Sequence, residues 1–352
     1  MAITRQSSTS TTAKKSSVIP CAPYSDTYHV LSQKTPNGVN RAQTNINFLD
    51  KPLFIPARKL IDPSTGESTS VEYMTRYSDG NGFEIQSLID TDKQLNGLKA
   101  THGLPTFFDK KVLCLLGAYL PIFDEDLVTA KKELYADTDN LLNSVEITNV
   151  RAFLREINVA GSGRDIDRLK ESLAKWTEIL LIFRNSSFTT SKGAEGEQLT
   201  TIIANKSLKV MDSIQYVEDS SGKVQSIKVS FNKDFILCNN DKFVRRLDLR
   251  VFFSFTSPTA ARLYEILSKT FWGTTGRTKC PRTGLLKWKI NLENLLAKLG
   301  THRVRNAAKI VEDAIKEVNL RDKDTIIRYA FIEGANKQIV VEFSRVSCKG
   351  QH

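Results

Sequence analysis

Between residues 107 and 176 the apolar residues return every three or four positions, a spacing that predicts consecutive amphipathic helices. The first follows "GLPTFFD", with Asp109 as its expected cap and Val112, Leu113, Leu116 and Leu120 as its stripe. After an acidic connection at 124–139, "SVEIT" reads as a short extended piece. Thr148 is placed to cap "NVRAFLREI", which carries Val150, Phe153, Leu154 and Ile157 on one side. A Gly-Ser-Gly turn then opens "GSGRDIDRLKESLAKW" (161–176), in which Ile166, Leu169, Leu173 and Trp176 share a face. "TEILLIF" alternates as a strand, residues 185–198 read as a long polar loop, and "LTTIIANKSLKVMDSIQYVED" and "VQSIKVSF" supply strands around "SSGK". Upstream, short strands fill the stretch from "FIPARKL" to "FEIQSLID", with a hairpin around Asp79-Gly80-Asn81-Gly82.

The same order returns further along. Ser257-Pro258 starts a helix, "TAARLYEILSKTF", with Ala260, Leu263, Tyr264, Leu267 and Phe271 inward. "LLKWKI" is a short strand, Asn291 caps "LENLLAKL", and Gly300 stops it. A third helix is expected from Thr301 as cap through "HRVRNAAKIVEDAIKEV", with Val304, Ala307, Ala308, Val311, Ile315 and Val318 inward. "TIIRYAFI" and "QIVVEFS" flank "EGANK", a hairpin wing that carries Lys337. Three helices followed by a strand pair is the order of a winged helix, and it occurs twice.

The ends of the chain and its charge alter this picture in one respect each. Residues 1–45 are rich in Ser and Thr and poor in large apolar residues, so a disordered arm is expected there, removable with little loss of folding. The net charge of +11 lies wholly in residues 245–352, which hold 21 Lys and Arg against 10 Asp and Glu. The other 244 residues hold 29 of each sign. A domain this basic points to a polyanion, and a nucleic-acid backbone is the commonest soluble one.

Candidate contacts follow from the outward helix faces. Arg164, Arg168 and Lys175 project away from the leucines of the first candidate reading helix. Asp167 and Glu171 dilute that face, which leaves a solvated surface as the stronger reading for this helix alone. In the second copy His302, Arg303, Arg305, Asn306, Lys309 and Lys316 face outward with fewer acids, and there DNA reading is favoured. Arg and Asn make the bidentate contacts that distinguish guanine and adenine in the major groove. The loop "GTTGRTKCPRTGLLKWK" offers Arg277, Lys279, Arg282, Lys287 and Lys289 for phosphate contact. Trp272 and Trp288 read as core, because both lie in apolar-periodic segments.

Other chemistry is missing from the sequence. No G-x-x-x-x-G-K-[ST] appears, and none of His29, His102, His302 and His352 is paired at metal-ligand spacing. Asp124, Glu125 and Asp126 read as a solvated connection. Cys21, Cys114, Cys238, Cys280 and Cys348 are scattered, and Cys114 reads as a buried free thiol, in keeping with a reducing compartment. Neither a secretory signal nor a membrane span is expected. Binding is favoured over catalysis, with no cofactor and no metal.

"GLPTFFDKKVLCLLGAYL", "VRAFLREINVAGSGRDIDRLKESLAKW" and "LDLRVFFSFTSPTAARLYEIL" together resemble plasmid replication initiators of the tandem winged-helix type, over roughly residues 95–345. The resemblance implies an α+β chain of two tandem winged helices behind a disordered N-terminal arm. The divisions expected are 1–45 arm, 46–98 short strands on the first domain, 99–244 first winged helix, 245–346 basic second winged helix and 347–352 tail. Carried over by position, the recognition helices are 163–176 and 302–318. It further implies binding to repeated double-stranded origin DNA, duplex opening, recruitment of a host initiator and replicative helicase, and autorepression. A homodimer–monomer equilibrium through the first winged helix, in the cytoplasm, completes the expectation. The alternatives are a two-winged-helix transcriptional regulator and a recombinase or nuclease.

Overall fold

The structure, a computed structural model, describes residues 27–29, 41–45, 53–54, 60–61, 68–69, 72–76, 82–87, 104–119, 143–191, 200–239, 244–271, 286–300, 306–323, 325–334 and 338–347. Six short strands come first: β1 (Thr27–His29), β2 (Arg41–Asn45), β3 (Leu60–Ile61), β4 (Ser68–Thr69), β5 (Glu72–Arg76) and β6 (Gly82–Ser87). Next are α1 (Phe107–Tyr119), β7 (Ser144–Ile147), α2 (Val150–Glu156), α3 (Gly163–Glu178), β8 (Ile179–Ser191), β9 (Thr200–Lys209), β10 (Met211–Glu218), β11 (Val224–Phe231) and α4 (Lys233–Asn239). The second half runs β12 (Val244–Asp248), α5 (Leu249–Ser254), α6 (Pro258–Phe271), β13 (Leu286–Asn291), α7 (Leu292–Leu299), α8 (Ala307–Arg321), β14 (Thr325–Glu333) and β15 (Ile339–Ser347). The mixed helix–strand content and the two tandem winged helices match the fold expected.

In the first unit α1, α2 and α3 pack beside a sheet of order β1-β7-β11-β10, whose β10–β11 hairpin is the wing. Val150, Phe153 and Leu154 of α2 and Leu169, Leu173 and Trp176 of α3 are buried, as their spacing predicts. Two caps differ from expectation. Asn149, not Thr148, caps α2 by accepting from Ala152 N–H, because its side chain stands the three residues back that the bond needs. Asp109 is inside α1, where its carboxylate accepts from the N–H and hydroxyl of Thr106. Leu120 lies outside the described residues.

Residues 185–198 were expected to be a loop. Instead β8 continues to Ser191 and pairs antiparallel with β9, and residues 192–199 lie outside the description. Polar Thr and Ser form strand here because Ser187–Ser191 pair along Thr200–Ala204 of β9, extending β8 beyond the Ile179–Arg184 stretch that β6 pairs in the sheet of order β5-β6-β8-β9. β5 and β6, which flank the expected hairpin turn, pair antiparallel, and residues 77–81 between them lie outside the described residues. Within the expected arm, β1 pairs parallel with β7 and β2 pairs antiparallel with β12 over five residues. Removing residues 1–45 therefore removes two strands as well.

A capping box opens α3: Ser162 Oγ accepts from Asp165 N–H, while the Asp165 carboxylate accepts from Ser162 N–H at 2.8 Å and Gly161 N–H at 3.0 Å. The Ser162 hydroxyl, which also donates to this carboxylate at 2.7 Å, and then the backbone bonds hold the Asp165 carboxyl below the ordinary carboxylate range. Gly161 turns at φ +83, and an added Cβ would sit 3.4 Å from Arg151 Cβ and O. Gly161→Ala should therefore cost about 1 kcal/mol, from the left-handed backbone. Equilibrium urea unfolding measures it, and an unchanged midpoint would show that the turn is not strained.

The second unit repeats the plan with α6, α7, α8 and a sheet of order β13-β15-β14. Ser257 Oγ accepts from Ala260 N–H at the start of α6, and Asn291 caps α7, which Gly300 ends at φ 74. Trp288 lies parallel to Phe343, centroids 5.4 Å apart, at the edge of the core; Trp272 is outside the described residues. α6 is buried on all sides and not on one stripe, for Arg262 and Glu265 are both fully covered. The two units meet here. Lys110 of α1 reaches Glu265 at 3.3 Å, and Lys111 donates to the Phe253 carbonyl at 2.7 Å. Burial, then the nearby Arg168, lowers Lys111 to about 8. The buried Cys114 thiol beside this contact is pushed up to about 12 by burial, which keeps it protonated and inert.

Candidate nucleic-acid interface

Helix α8 is built to be held rigidly at its C-terminal half. Val311, Ala314, Ile315 and Val318 pack inward, so Ala314 takes the inner place expected for Ala308, which is exposed. Asn319 clamps the wing from both sides: its Nδ2 donates to Ile327 O at 2.9 Å, and Ile327 N–H donates to its Oδ1 at 2.7 Å. Glu317 accepts from Thr256 N–H at 2.7 Å and from Ser257 N–H, tying α8 to the entry of α6. These bonds fix the helix against its own core and leave the opposite face to solvent.

That face starts later than the spacing suggests. α8 begins at Ala307, with Asn306 before it in the left-handed region at φ 65, so the expected start at Thr301 or His302 is corrected. A left-handed residue cannot continue a right-handed helix, so Asn306 bounds α8 on this side. Asn306 and Lys309 are exposed, and Lys309 makes no ion pair among the described residues. Lys316 is also exposed and pairs with Asp313 at 3.4 Å. His302, Arg303, Val304 and Arg305 lie outside the described residues, as do Arg277, Lys279, Arg282, Lys337 and the acids at 124–126.

Lys287, grouped with the phosphate-contacting loop, is on strand β13, where the expected strand "LLKWKI" also puts it, and Leu286–Asn291 pairs along β15. Strand alternation puts Lys287, Lys289 and, across the sheet, Arg328 on the solvent side. Glu342 bonds Lys287 at 2.8 Å and Lys289 at 3.3 Å, and the Lys287 bond foremost holds its carboxyl low. Two cations against one anion, with Arg328 beside them, leave this outer face positive. Arg328 was missed from sequence; the alternation of "TIIRYAFI" carried the signal.

The first unit is different. Arg164 is exposed on α3, but Arg168 lies over the Phe108 ring at 4.0 Å. Lys170 pairs with Glu218 at 2.8 Å. Lys175 was expected to point outward and is buried, 3.3 Å from Asp109 and 3.2 Å from Glu171. α1 covers that side of α3, and the buried Asp109 supplies the charge that makes burial of a lysine tolerable. Trp176 Nε1 donates to Asp109 O at 2.9 Å in the same contact. The cations of α3 are thus largely engaged within the unit.

The wing of this unit turns at Asp219, whose carboxylate accepts from Ser221, Lys223 and Gln225. The Ser221 hydroxyl, then the Lys223 N–H, lowers its carboxyl to about 2. The folded value lies below the ordinary carboxylate value of about 3.9. Its stabilisation of the turn is therefore complete above about pH 4 and fades as pH falls toward 2. An NMR titration of the Asp219 side chain should give a midpoint near 2; an ordinary midpoint would mean that the turn is open in solution.

Among the described residues no group of three His, Cys, Asp or Glu side chains is placed to hold a metal ion. No helix there is long and apolar enough to cross a membrane. No curated protein matches the chain. Solved structures similar to it include domains 2 and 3 of RctB, at 13% identity and a TM-score of 0.42, covering 86% of this chain and 97% of that one. Another is the Pi initiator protein in complex with iteron DNA, at 12% identity and a TM-score of 0.41, covering 68% and 94%. Residues 88–323, about two thirds of the sequence, match the family model of Replication initiator protein A, and the chain belongs to that family.

Proposed function

We propose that the chain initiates plasmid replication by binding repeated double-stranded origin sites, mainly through its second winged helix. It then opens the duplex and brings in host replication proteins, and it represses its own gene as a dimer. The observation that carries this reading is the rigidly held α8 with its free Asn306–Lys309 end, beside a positive wing face, in the third of the chain that holds all the excess charge. In the first unit Arg168, Lys170 and Lys175 of α3 are engaged internally and only Arg164 stands free among the described residues, which suits a subunit contact better than base reading. No constellation in the sequence suggests a nucleophile or metal centre, so the action is binding and not catalysis.

Footprinting on the DNA flanking this protein's own gene, with an origin-dependent plasmid maintenance assay, tests the proposal. Protection of repeats without maintenance would indicate a transcriptional regulator. Metal-dependent nicking of supercoiled DNA would indicate a nuclease or recombinase.

Asn306 allows a sharper test. Asn306→Gly keeps the left-handed backbone and removes only the side chain. It should weaken cognate binding by about 1–3 kcal/mol and spare random duplex, as for a base-reading residue. Lys309→Ala should weaken both alike and reduce the salt slope by about one unit. Equal losses on cognate and scrambled duplex for Asn306→Gly would make Asn306 a bystander.

A further inference from the structure

At its far end α8 meets α5 across an open groove of about 360 Å³, lined by Arg250, Val251, Ser254, Leu320, Arg321 and Lys323. Leu320 is 65% exposed, the most open large apolar side chain among the described residues. Arg321 is half-buried beside it, and its Nε is shielded from solvent with no hydrogen-bond partner among the described residues. A shielded donor without an acceptor is unfavourable until one arrives. Among the described residues the nearby acids do not fill the groove: Asp248 pairs with Arg250 at 3.3 Å, and Asp322 is buried, with its charge set against Arg345. Complementing the α8 dipole explains basic residues in its last turn. It explains neither the exposed Leu320 nor Arg250, which comes from another helix.

The groove is also separate from the proposed DNA surface. α8 has 15 residues, about 22 Å at 1.5 Å per residue, and Asn306 and Lys309 are at its opposite end. A duplex held there leaves the groove open.

We propose that this groove docks an acidic peptide segment of a partner protein, anchored by one large apolar side chain. The anchor packs on Leu320 and Val251, while its flanking carboxylates pair with the guanidinium groups of Arg321 and Arg250 and with Lys323. A nucleic-acid backbone matches the charge but brings no apolar anchor, and Leu320 decides for the peptide. The proposal goes beyond the initiator reading, and only its in-cell arm depends on that reading.

The test uses the full chain and a fluorescein-labelled peptide of Leu-Glu-Glu-Leu repeats, with a Leu-Gln-Gln-Leu version as its neutral counterpart. The acidic peptide should bind and remain bound when duplex DNA is added. Leu320→Ala, Arg321→Gln and Lys323→Glu should each weaken it about tenfold, and Lys309→Glu should leave it unchanged. Equal binding of the neutral peptide, displacement by duplex, or an equal loss in Lys309→Glu would overturn the proposal, leaving a generally basic surface. In cells, Leu320→Ala/Lys323→Glu should keep duplex binding and lose plasmid maintenance. Normal maintenance, or loss of duplex binding by this variant, would overturn the groove's role. Failure of the unaltered chain to bind the duplex would instead overturn the initiator reading, and the peptide arm would decide the groove alone.

Discussion

Glu265→Ala will destabilise the protein by about 3–5 kcal/mol, the loss typical of breaking a buried ion pair. Glu265 is fully buried between two cations, Arg262 Nη1 at 2.8 Å and Lys110 Nζ at 3.3 Å, neither more than 2% exposed. Removing it takes the carboxylate away from two positive groups that lie out of water. The Lys298 carbonyl still accepts from Arg262 Nε at 2.9 Å, but a carbonyl at the end of α7 offers only a partial charge. Lys110→Met should cost clearly less, since Glu265 keeps Arg262 and the thioether fills similar volume. Replacing all three by apolar residues of matching size should be close to neutral, because the desolvation of the charges disappears with them. Urea denaturation of the three variants measures this ordering. A Glu265→Ala loss below about 1 kcal/mol would mean that water reaches the cluster in solution. Lys110 belongs to the first unit and Glu265 to the second, so the same variants also report how firmly the units are joined.

The second large effect is on DNA binding. Cognate affinity should fall about a thousandfold between 50 and 200 mM salt if about six phosphates are neutralised, each adding about −0.9 to the slope of log affinity against log salt. The argument rests on location as much as on amount. All +11 of the net charge lies within residues 245–352, and in the described part of that region Lys309, Lys287, Lys289 and Arg328 face solvent around α8 and its wing. The isolated first unit, with balanced charge and α3 cations engaged by Phe108, Glu218 and Asp109, should show a much shallower slope. Titrations at several salt concentrations measure both. A flat response from the whole chain would remove the electrostatic basis of the proposed interface.

What was legible in the sequence was local. Helix stripes such as Leu169, Leu173 and Trp176 were readable because neighbours three and four residues apart decide which side of a helix is apolar. The stops and starts at Ser257, Asn291 and Gly300 were readable for the same reason. The repeated order of elements and the one-sided charge needed only the chain's own arithmetic, and with the family resemblance they pointed to two winged helices and an initiator. Errors of one residue, as at Thr148 and Asn149, arose because both side chains can cap and only the backbone geometry chooses between them.

The tertiary structure decided whatever depends on partners distant in sequence. Lys175 projects away from its own helix's leucines, yet it is buried, because α1 brings Asp109 to it from 66 residues away. Residues 185–191 are mostly polar and unpatterned, yet they form strand because β9, from beyond the 192–199 connection, pairs with Ser187–Ser191. Asn306 looks like one more step of a helix and is instead its left-handed boundary. Arg262 and Glu265, three residues apart on α6, are covered because Lys110 of α1 and the end of α7 close over them. Periodicity reports the face a segment prefers in isolation. Which face is covered, and which charge finds a counterion, is set by long-range packing that a single sequence does not display.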